Sequence, residues 1–230
     1  MNDVLGQALY NFFTKAASAK LWIHNKYGRK EEMPVHIYFR EPEEMPDLEL
    51  IALQNCKGKV LDIGAGAGSH TLALQEKDFD VTALEISPKA AEVMRLRGVT
   101  SVVQQDIFTF DTGGFDTLLL LMNGIGLTGS ISRLKEFLQH AKKLLNHQGQ
   151  LIFDSSDVVY LYEGNPPQME NYYGEIMYQY EFKRKKTEWF SWLYIDQQKL
   201  TQIAAGEGWD TEVLSEDEFD QYVARLVIKQ

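Results

Sequence analysis

The chain has 230 residues, with 23 basic and 33 acidic side chains, so its formal net charge is −10. This length suits one α/β domain with additions, and a hydrophobic content of 44% is enough to bury a core of ordinary size. An acidic surface repels phosphate backbones, which argues against broad nucleic-acid binding. The longest apolar run, residues 118–122, is far too short to span a bilayer, so we expect no membrane segment.

The single cysteine and the scattered histidines bear on compartment and metal binding. Cys56 cannot form an intramolecular disulfide, which favours a reducing, cytoplasmic environment. The first residues also lack the basic region and long apolar core of a signal peptide. None of the five histidines pairs with cysteine or carboxylate at ligand spacing, so no metal site is expected. His70 begins a predicted helix, where it is expected on the helix surface or, alternatively, at the rim of the pocket.

The N-terminal part of the chain precedes a regular alternation of elements. Apolar positions recur at helical spacing from residue 4 to about residue 22 and predict a helix there. Residues 35–39 are expected to form a short extended piece. Residues 48–55 predict a helix that leads into the first strand of the alternating region.

From residue 59 onward, strands and helices alternate, which predicts a parallel sheet with right-handed crossovers. Ser87 and Pro88 suit the start of a helix, and Gly98 suits its end. The segment 107–114 is too short for a full helix, so it is predicted to be a loop. Predicted strands lie near 59–63, 79–84, 101–105, 115–121 and 149–154, and predicted helices near 69–76, 88–97 and 131–145.

The C-terminal part adds a predicted hairpin and an edge pair of strands. Residues 172–181 and 187–195 are rich in aromatic and β-branched side chains, and the basic run 183–186 separates them, which predicts a β-hairpin with a charged tip. Its role stays open between a substrate wall, a partner or homodimer surface, a nucleic-acid face, and one buried face with a solvated tip. Residues 197–208 predict a final helix, followed by two antiparallel strands around Val213 and at 222–228.

A glycine-rich loop is the most informative segment of the sequence. Residues 59–68, Lys-Val-Leu-Asp-Ile-Gly-Ala-Gly-Ala-Gly, combine a short apolar run, an acid and a glycine turn before a helix-compatible segment. That is the layout of a first strand, a nucleotide loop and a first helix. The glycine spacing is G-x-G-x-G, and Ser69 stands where a dinucleotide fingerprint has its third glycine.

Asp62-x-Gly64-x-Gly66-x-Gly68 resembles the first motif of the class I S-adenosylmethionine-dependent methyltransferases. Residues 79–87 resemble the second strand of that family, which ends in the acid that binds the ribose. Residues 101–107 resemble the third strand, with the acid that faces the adenine amine. Residues 115–121 and 144–152 resemble the fourth strand and the turn into the fifth, so the resemblance covers about residues 59–157.

The resemblance implies an α/β fold with three layers, Rossmann-like, around a seven-stranded, mostly parallel sheet. Residues 1–56 are expected to form an N-terminal helical lid segment. Residues 57–230 are expected to form the methyltransferase core, with a β-hairpin inserted at about 172–195, the whole being one domain. The implied function is methyl transfer from S-adenosylmethionine to an unidentified, small-molecule acceptor.

The expected cofactor site lies where strands of a doubly wound sheet end. The resemblance implies that Glu85 accepts hydrogen bonds from ribose hydroxyls and that Asp106 accepts from the adenine amine, with Ile107 against the ring. Asp62 is expected either to orient the loop and meet the methionine ammonium through water, or simply to hold the turn. The expected cofactor-binding residues are Asp62, Gly64, Ala65, Gly66, Gly68, Glu85, Ile86, Asp106, Ile107, Asn123, Gly124, Tyr38 and Arg40.

Several residues of this expected site carry alternatives. Glu85 is alternatively a surface glutamate that caps the next helix, and Asp106 an ordinary loop aspartate. Asn123 and Gly124 either face the sulfonium or the substrate, or form an ordinary turn pair. Tyr38 either shields the sulfonium, partly by cation–π attraction, or packs with Phe39 in the N-terminal segment. No catalytic residue is assigned, because methyl transfer mainly requires alignment of donor and acceptor and exclusion of water.

Two other functions remain open at this point. An NAD-dependent oxidoreductase would keep the strand, glycine loop and Glu85, but it needs a third glycine at Ser69. A non-catalytic binding subunit on the same fold would use the hairpin as its interface. Fold alone does not decide between such functions.

Overall fold

The computed structural model describes residues 2–16, 19–26, 28–162 and 171–230. None of the described helices is long and apolar enough to cross a membrane. The α-helices are α1 (Val4–Phe13), α2 (Asp47–Gln54), α3 (Ser69–Gln75), α4 (Pro88–Arg97), α5 (Ile131–Leu144) and α6 (Gln197–Gly206). Short 3₁₀ segments occur at Val35–Phe39, Pro42–Glu44, Gly124–Thr128 and Val159–Tyr162.

Most strands belong to one seven-stranded sheet. The strands of the chain are β1 (Leu21–Asn25), β2 (Glu31–Met33), β3 (Val60–Ile63), β4 (Val81–Glu85), β5 (Val102–Gln104), β6 (Phe115–Leu120), β7 (Leu145–Ser156), β8 (Glu175–Phe182), β9 (Lys185–Lys186), β10 (Phe190–Leu193), β11 (Trp209–Glu216) and β12 (Gln221–Ile228). The large sheet has the order β11-β12-β7-β6-β3-β4-β5. β4 and β5 are parallel, as are β6 and β7, whereas β12 is antiparallel to both β7 and β11. The predicted Rossmann-like sheet and its antiparallel edge pair are therefore confirmed.

The remaining strands form a second, antiparallel sheet. Its order is β10-β8-β1-β2, and β9 pairs with β8. Lys183 and Arg184 connect β8 to β9 with φ angles of 48° and 65°, the left-handed backbone that two-residue hairpin turns require. The predicted hairpin segments 172–181 and 187–195 fall on β8 and β10.

The N-terminal segment differs from its prediction. The helix expected to run to about residue 22 ends at Phe13, and Lys15 has a left-handed φ of 52° that cannot continue a helix. Residues 21–25 instead form β1, in which Trp22 pairs with Glu181 of β8. The prediction was wrong because this pairing partner lies far away in the sequence. Residues 35–39, expected to be extended, form a 3₁₀ segment after Pro34.

The start and end of α4 follow from local chemistry, as predicted. The Ser87 hydroxyl accepts a hydrogen bond from the Ala90 N–H at 3.0 Å, and Pro88 occupies the first turn. Gly98 ends the helix with a φ of 96°, a conformation that a residue with a side chain rarely adopts. These contacts confirm both helix signals.

Contacts within the chain define two compact units. The first unit contains residues Met1–Met45, Asp62–Thr109 and Met177–Phe190. One of its apolar clusters joins α1, the glycine loop and α4 through buried Leu9, Ala67, Ala90 and Val93, with Tyr38 at its margin. The N-terminal helix of this unit is thus part of the same core as the glycine loop.

The second unit contains residues Pro46–Leu61, Phe110–Ile176 and Ser191–Gln230. Helix α5 buries one face, on which Leu134, Phe137 and Leu138 are fully enclosed at spacings of three and four residues. Trp209 and Phe153 are buried in the same unit. The unit therefore has its own apolar core.

The N-cap of α5 provides a test of local stability. The Ser130 hydroxyl accepts a hydrogen bond from the Arg133 N–H, and we expect Ser130→Ala to lower the free energy of unfolding by about 1 kcal/mol. Ser130→Asn keeps an oxygen acceptor and should stay close to the wild type. Urea unfolding followed by circular dichroism measures both variants. An unchanged stability of Ser130→Ala would show that this cap does not support the helix.

Candidate functional site

The glycine loop that follows β3 is a tight turn held against the end of β4. Gly64, Gly66 and Gly68 have φ angles of 73°, 57° and 85°, which side-chain-bearing residues rarely adopt. The backbone N–H groups of Gly64 and Ala65 donate to the Leu84 carbonyl at 2.8 and 3.3 Å. The loop therefore presents bare backbone beside the carboxyl end of a strand, where a ligand can approach closely.

Glu85 is the last residue of β4 and is only 9% exposed. One oxygen accepts the Gly66 N–H at 2.9 Å, and the other accepts the Ser87 N–H at 2.8 Å. Burial raises the pKa of the Glu85 carboxyl, these N–H donors oppose the rise, and the Asp3 carboxylate adds to it. The next side chain, Ile86, is 55% exposed and provides an apolar surface beside this acid.

Asp106 lies just beyond the end of β5, next to the end of β4. The Gln105 N–H donates to the Glu85 carbonyl at 3.2 Å, which brings these two chain segments together. One oxygen of the Asp106 carboxylate accepts the Phe108 N–H at 3.0 Å, so the acid is fixed by its own turn. Ile107 is buried beside it.

Asp62 acts on the first turn of α3. The residue is 2% exposed, and its carboxylate accepts a hydrogen bond from the Thr71 hydroxyl at 2.5 Å. Burial raises the pKa of the Asp62 carboxyl, while His70 and hydrogen bonds from Thr71 lower it. This contact agrees with the alternative in which Asp62 holds the turn.

His70 differs from its prediction, since it is 6% exposed rather than on the helix surface. The first turn of α3, with Ser69, His70 and Thr71, is buried, and His70 lowers the pKa of the Asp62 carboxyl. In the sequence, the signal for this contact was Asp62, the acid that precedes the glycine loop and lies near His70 in the fold. Among the described residues, no group of three or more His, Cys, Asp or Glu side chains is arranged to hold a metal.

Tyr38 lies over the glycine loop. A Cβ atom built on Gly66 would be 3.2 Å from Cδ1 of the Tyr38 ring. The Tyr38 carbonyl accepts the Ser69 hydroxyl at 3.0 Å, so both the ring and the backbone contact the loop region. Arg40 follows at the end of the same 3₁₀ segment and is partly buried. Tyr38 thus packs in the N-terminal segment and contacts the predicted site as well.

Two residues that support this region were missed by the sequence analysis. The Arg97 guanidinium donates to the Ala67 carbonyl at 2.7 Å and to the Ser69 hydroxyl at 3.2 Å, and it lies 5.1 Å from the Phe39 ring centroid. Asp3 approaches the turn after Glu85 from α1. Neither residue belongs to a local motif, so a basic residue before Gly98 and an acid before α1 were the only signals.

Asn123 and Gly124 belong to the second unit, at the end of β6. Met122 and Asn123 both adopt left-handed backbone, with φ angles of 64° and 54°, which is costly for residues with side chains. The Gly124 N–H donates to the Asp154 carboxylate at 3.1 Å, and the Asn123 amide NH₂ donates to the Leu193 carbonyl at 3.1 Å. Within the described part of the chain, the buried Asn123 side-chain oxygen has no hydrogen-bond partner.

The second unit also contains a network of tyrosines and aspartates. The Tyr172 hydroxyl donates to Asp196 at 2.5 Å, and the Tyr173 hydroxyl donates to Asp157 at 2.7 Å. The two rings have centroids 4.5 Å apart. Burial raises the pKa of both hydroxyls, so these tyrosines are hydrogen-bond donors rather than bases near neutral pH.

Known proteins resemble this chain in sequence and in fold. A model of a methyltransferase domain matches residues 60–149. YqeM of Bacillus subtilis (strain 168) is 28% identical over 105 residues, which are 43% of this chain and 42% of that protein. The chain thus matches less than half the length of this curated relative.

Solved structures resemble the chain over a larger part of its length. The structure of the CcbJ methyltransferase from Streptomyces caelestis is 12% identical, with a TM-score of 0.64 over 82% of this chain and 94% of that one, which is a likeness of fold alone. A SAM-dependent methyltransferase from Bacteroides fragilis, in complex with S-adenosyl-L-homocysteine, is 38% identical with a TM-score of 0.92, over 99% of this chain and 95% of that chain. On this match the chain belongs to the class I S-adenosylmethionine-dependent methyltransferases.

Proposed function

We propose that the protein transfers a methyl group from S-adenosylmethionine to a small organic acceptor. The observation that carries the proposal is the Glu85 carboxylate, held by the Gly66 and Ser87 N–H groups at the end of β4. A carboxylate has about four lone-pair sites on its two oxygens, and the backbone N–H groups occupy only part of them. The remaining sites suit two vicinal ribose hydroxyls.

The neighbouring residues fit the remaining parts of a nucleoside. The exposed Ile86 side chain and buried Ile107 offer apolar surface for an adenine ring. Asp106 accepts one hydrogen bond within its own turn and retains acceptor capacity for an exocyclic amine. Gly64, Ala65, Gly66 and Gly68 let the backbone approach the ligand without a side chain in between.

The bound cofactor supplies an electrophilic methyl group on a positively charged sulfur. The Tyr38 ring, which touches the glycine loop, is suited to face that cation. Arg40, at the end of the same 3₁₀ segment, is proposed to belong to this site as well. Asp62 holds the start of α3 and gives the loop one defined conformation. These residues bind, orient and exclude water, which is what an in-line methyl transfer demands of a protein.

The acceptor is proposed to be a small polar molecule. Asn123, whose side-chain oxygen has no hydrogen-bond partner among the described residues, is proposed to face the sulfonium or to orient the acceptor, with Gly124 beside it. The net charge of −10 weighs against nucleic acid as the acceptor. A homodimer stays compatible with these observations, and sedimentation at micromolar concentration tests it.

Calorimetric titration and a transfer assay test the proposal against its alternatives. The purified protein is titrated with S-adenosylmethionine, S-adenosylhomocysteine and NAD, and then incubated with methyl-labelled cofactor and a panel of small amines, alcohols and acids. Binding of the first two ligands together with label transfer supports the proposal. Binding of NAD alone would indicate the oxidoreductase, and binding without transfer to any acceptor would favour the non-catalytic subunit.

Glu85→Gln should weaken S-adenosylhomocysteine binding by at least about tenfold. Each hydrogen bond to a charged acceptor contributes about 1.5–3 kcal/mol. In addition, the NH₂ group of the new glutamine cannot accept a hydrogen bond from the backbone N–H group that it faces. Isothermal titration measures the effect. Glu136→Gln, at an exposed position on α5, is the matched control and should bind as the wild type does. Equal affinity of all three proteins would remove Glu85 from the site.

Lowering the pH should weaken cofactor binding, and the midpoint of this loss should lie above 4.5, the ordinary pKa of glutamate. Burial raises the pKa of Glu85, and the ribose hydroxyls bind its ionised form, so affinity is full above this raised pKa and is lost as the pH falls through it. Titrations of S-adenosylhomocysteine between about pH 5 and pH 8 measure the midpoint. Because the pKa of Asp62 is raised as well, the same titration of Glu85→Gln is the control that separates the two acids. If the affinity of that variant falls at low pH in the same way, a group other than Glu85 causes the loss.

Tyr38→Ala should weaken S-adenosylmethionine binding about fivefold, whereas Tyr38→Phe should have little effect because it keeps the ring. The loss should be larger for S-adenosylmethionine than for S-adenosylhomocysteine, since only the former carries a sulfonium cation. Competition binding of the two ligands to each variant measures the difference. Equal losses of affinity for both ligands would show that Tyr38 only packs against the loop and does not face the sulfonium.

A further inference from the structure

The carboxylate of Asp3 caps two helices at once. One oxygen accepts the Gly6 N–H at 3.0 Å and caps α1, the helix that begins after Asp3. Its other oxygen accepts the Lys89 N–H at 3.0 Å in the first turn of α4. The Ser87 hydroxyl donates to both oxygens, at 2.8 and 2.9 Å. The start of α1 is thereby joined to the turn between β4 and α4.

This turn is the one that fixes Glu85. The Ser87 N–H donates to the Glu85 carboxylate at 2.8 Å, and the Ser87 hydroxyl also accepts the Ala90 N–H at 3.0 Å. Ser87 is therefore held by Asp3 through its side chain and holds Glu85 through its backbone. A chain of three hydrogen-bonded residues leads from the N-terminal helix to the proposed ribose acceptor.

The helix itself is shaped for this close approach. A Cβ atom at Gly6 would lie 2.0 Å from the Ser87 hydroxyl oxygen, so only glycine lets α1 come this near. Farther along α1, buried Leu9 packs in one cluster with Ala67 of the glycine loop and Ala90 of α4. Helix α1 thus contacts both the loop and the turn that contribute to the proposed cofactor site.

We propose that Asp3 is a positioning residue for cofactor binding, acting through Ser87 on Glu85, so that docking of α1 and binding of the cofactor are coupled. The proposal rests on the proposed function of this site. By linkage, the coupling is reciprocal: the docked helix favours the ligand, and the ligand favours the docked helix. The upward effect of Asp3 on the pKa of Glu85 shows that the two carboxylates also interact electrostatically.

A purely structural role of Asp3 as a helix cap makes a different prediction. Asparagine caps helices about as well as aspartate, so Asp3→Asn would leave the affinity unchanged if the cap of α1 were all that mattered. In the positioning role, the new NH₂ group faces either the Lys89 N–H or the Gly6 N–H, and one acceptor of the network is lost. We then expect S-adenosylhomocysteine to bind about three- to tenfold more weakly, with little change in stability.

The experiment combines titration calorimetry with hydrogen exchange on the full chain. S-adenosylhomocysteine is titrated into the wild type, Asp3→Asn, Ser87→Ala and the double variant. Ser130→Ala, which loses a helix cap in the second unit, controls for a general loss of stability. Because Asp3 acts through Ser87, the double variant should lose less affinity than the sum of the single losses.

Hydrogen exchange supplies the readout that a simple cap would not change. Saturating S-adenosylhomocysteine should slow exchange of the α1 amides in the wild type, and this protection should shrink in Asp3→Asn. Wild-type affinity in Asp3→Asn, or α1 exchange that does not respond to the ligand, would overturn the coupling and leave the proposed function intact. A wild-type protein that binds no S-adenosylhomocysteine would overturn both.

Discussion

The buried Glu85 carboxylate is the interaction on which the candidate site depends. Removing a charge from water is costly, and two backbone N–H donors offset that cost without supplying an opposite charge. One donor, Gly66, lies in a loop whose left-handed backbone requires glycine, and the other, Ser87, caps the next helix. The glycine motif, the strand end and the helix start are therefore parts of one hydrogen-bonded arrangement.

That arrangement is held from outside by side chains of α1 and α4. Arg97 binds the carbonyl of Ala67 and the hydroxyl of Ser69, which fixes the far end of the glycine loop. Asp3 holds the turn on the other side of Glu85. A site fixed on both sides loses little conformational freedom on binding, and such preorganisation improves affinity without any additional ligand contact.

The sequence predicted those features whose causes are local. The glycine turn, the acid at the end of β4 and the Ser87 cap of α4 each depend on neighbouring residues, and the structure contains all three. The sequence did not predict the pairing of Trp22 with Glu181, because a strand can find its partner anywhere along the chain. Asp3 was missed for the same reason, since its contacts to Ser87 exist only after α1 and α4 have packed.

The two buried acids of the first unit suggest how such a site gains affinity. Burial raises the pKa of Asp62 and of Glu85, so in each case the fold opposes the ionised form. Asp62 recovers part of this cost within the protein, from Thr71 and from the neighbouring His70. Glu85 is bonded to the backbone yet retains acceptor capacity, so hydroxyl donors from the proposed ligand would stabilise an already desolvated carboxylate. The difference between these two acids therefore separates a residue that holds the loop from one that is suited to bind the cofactor.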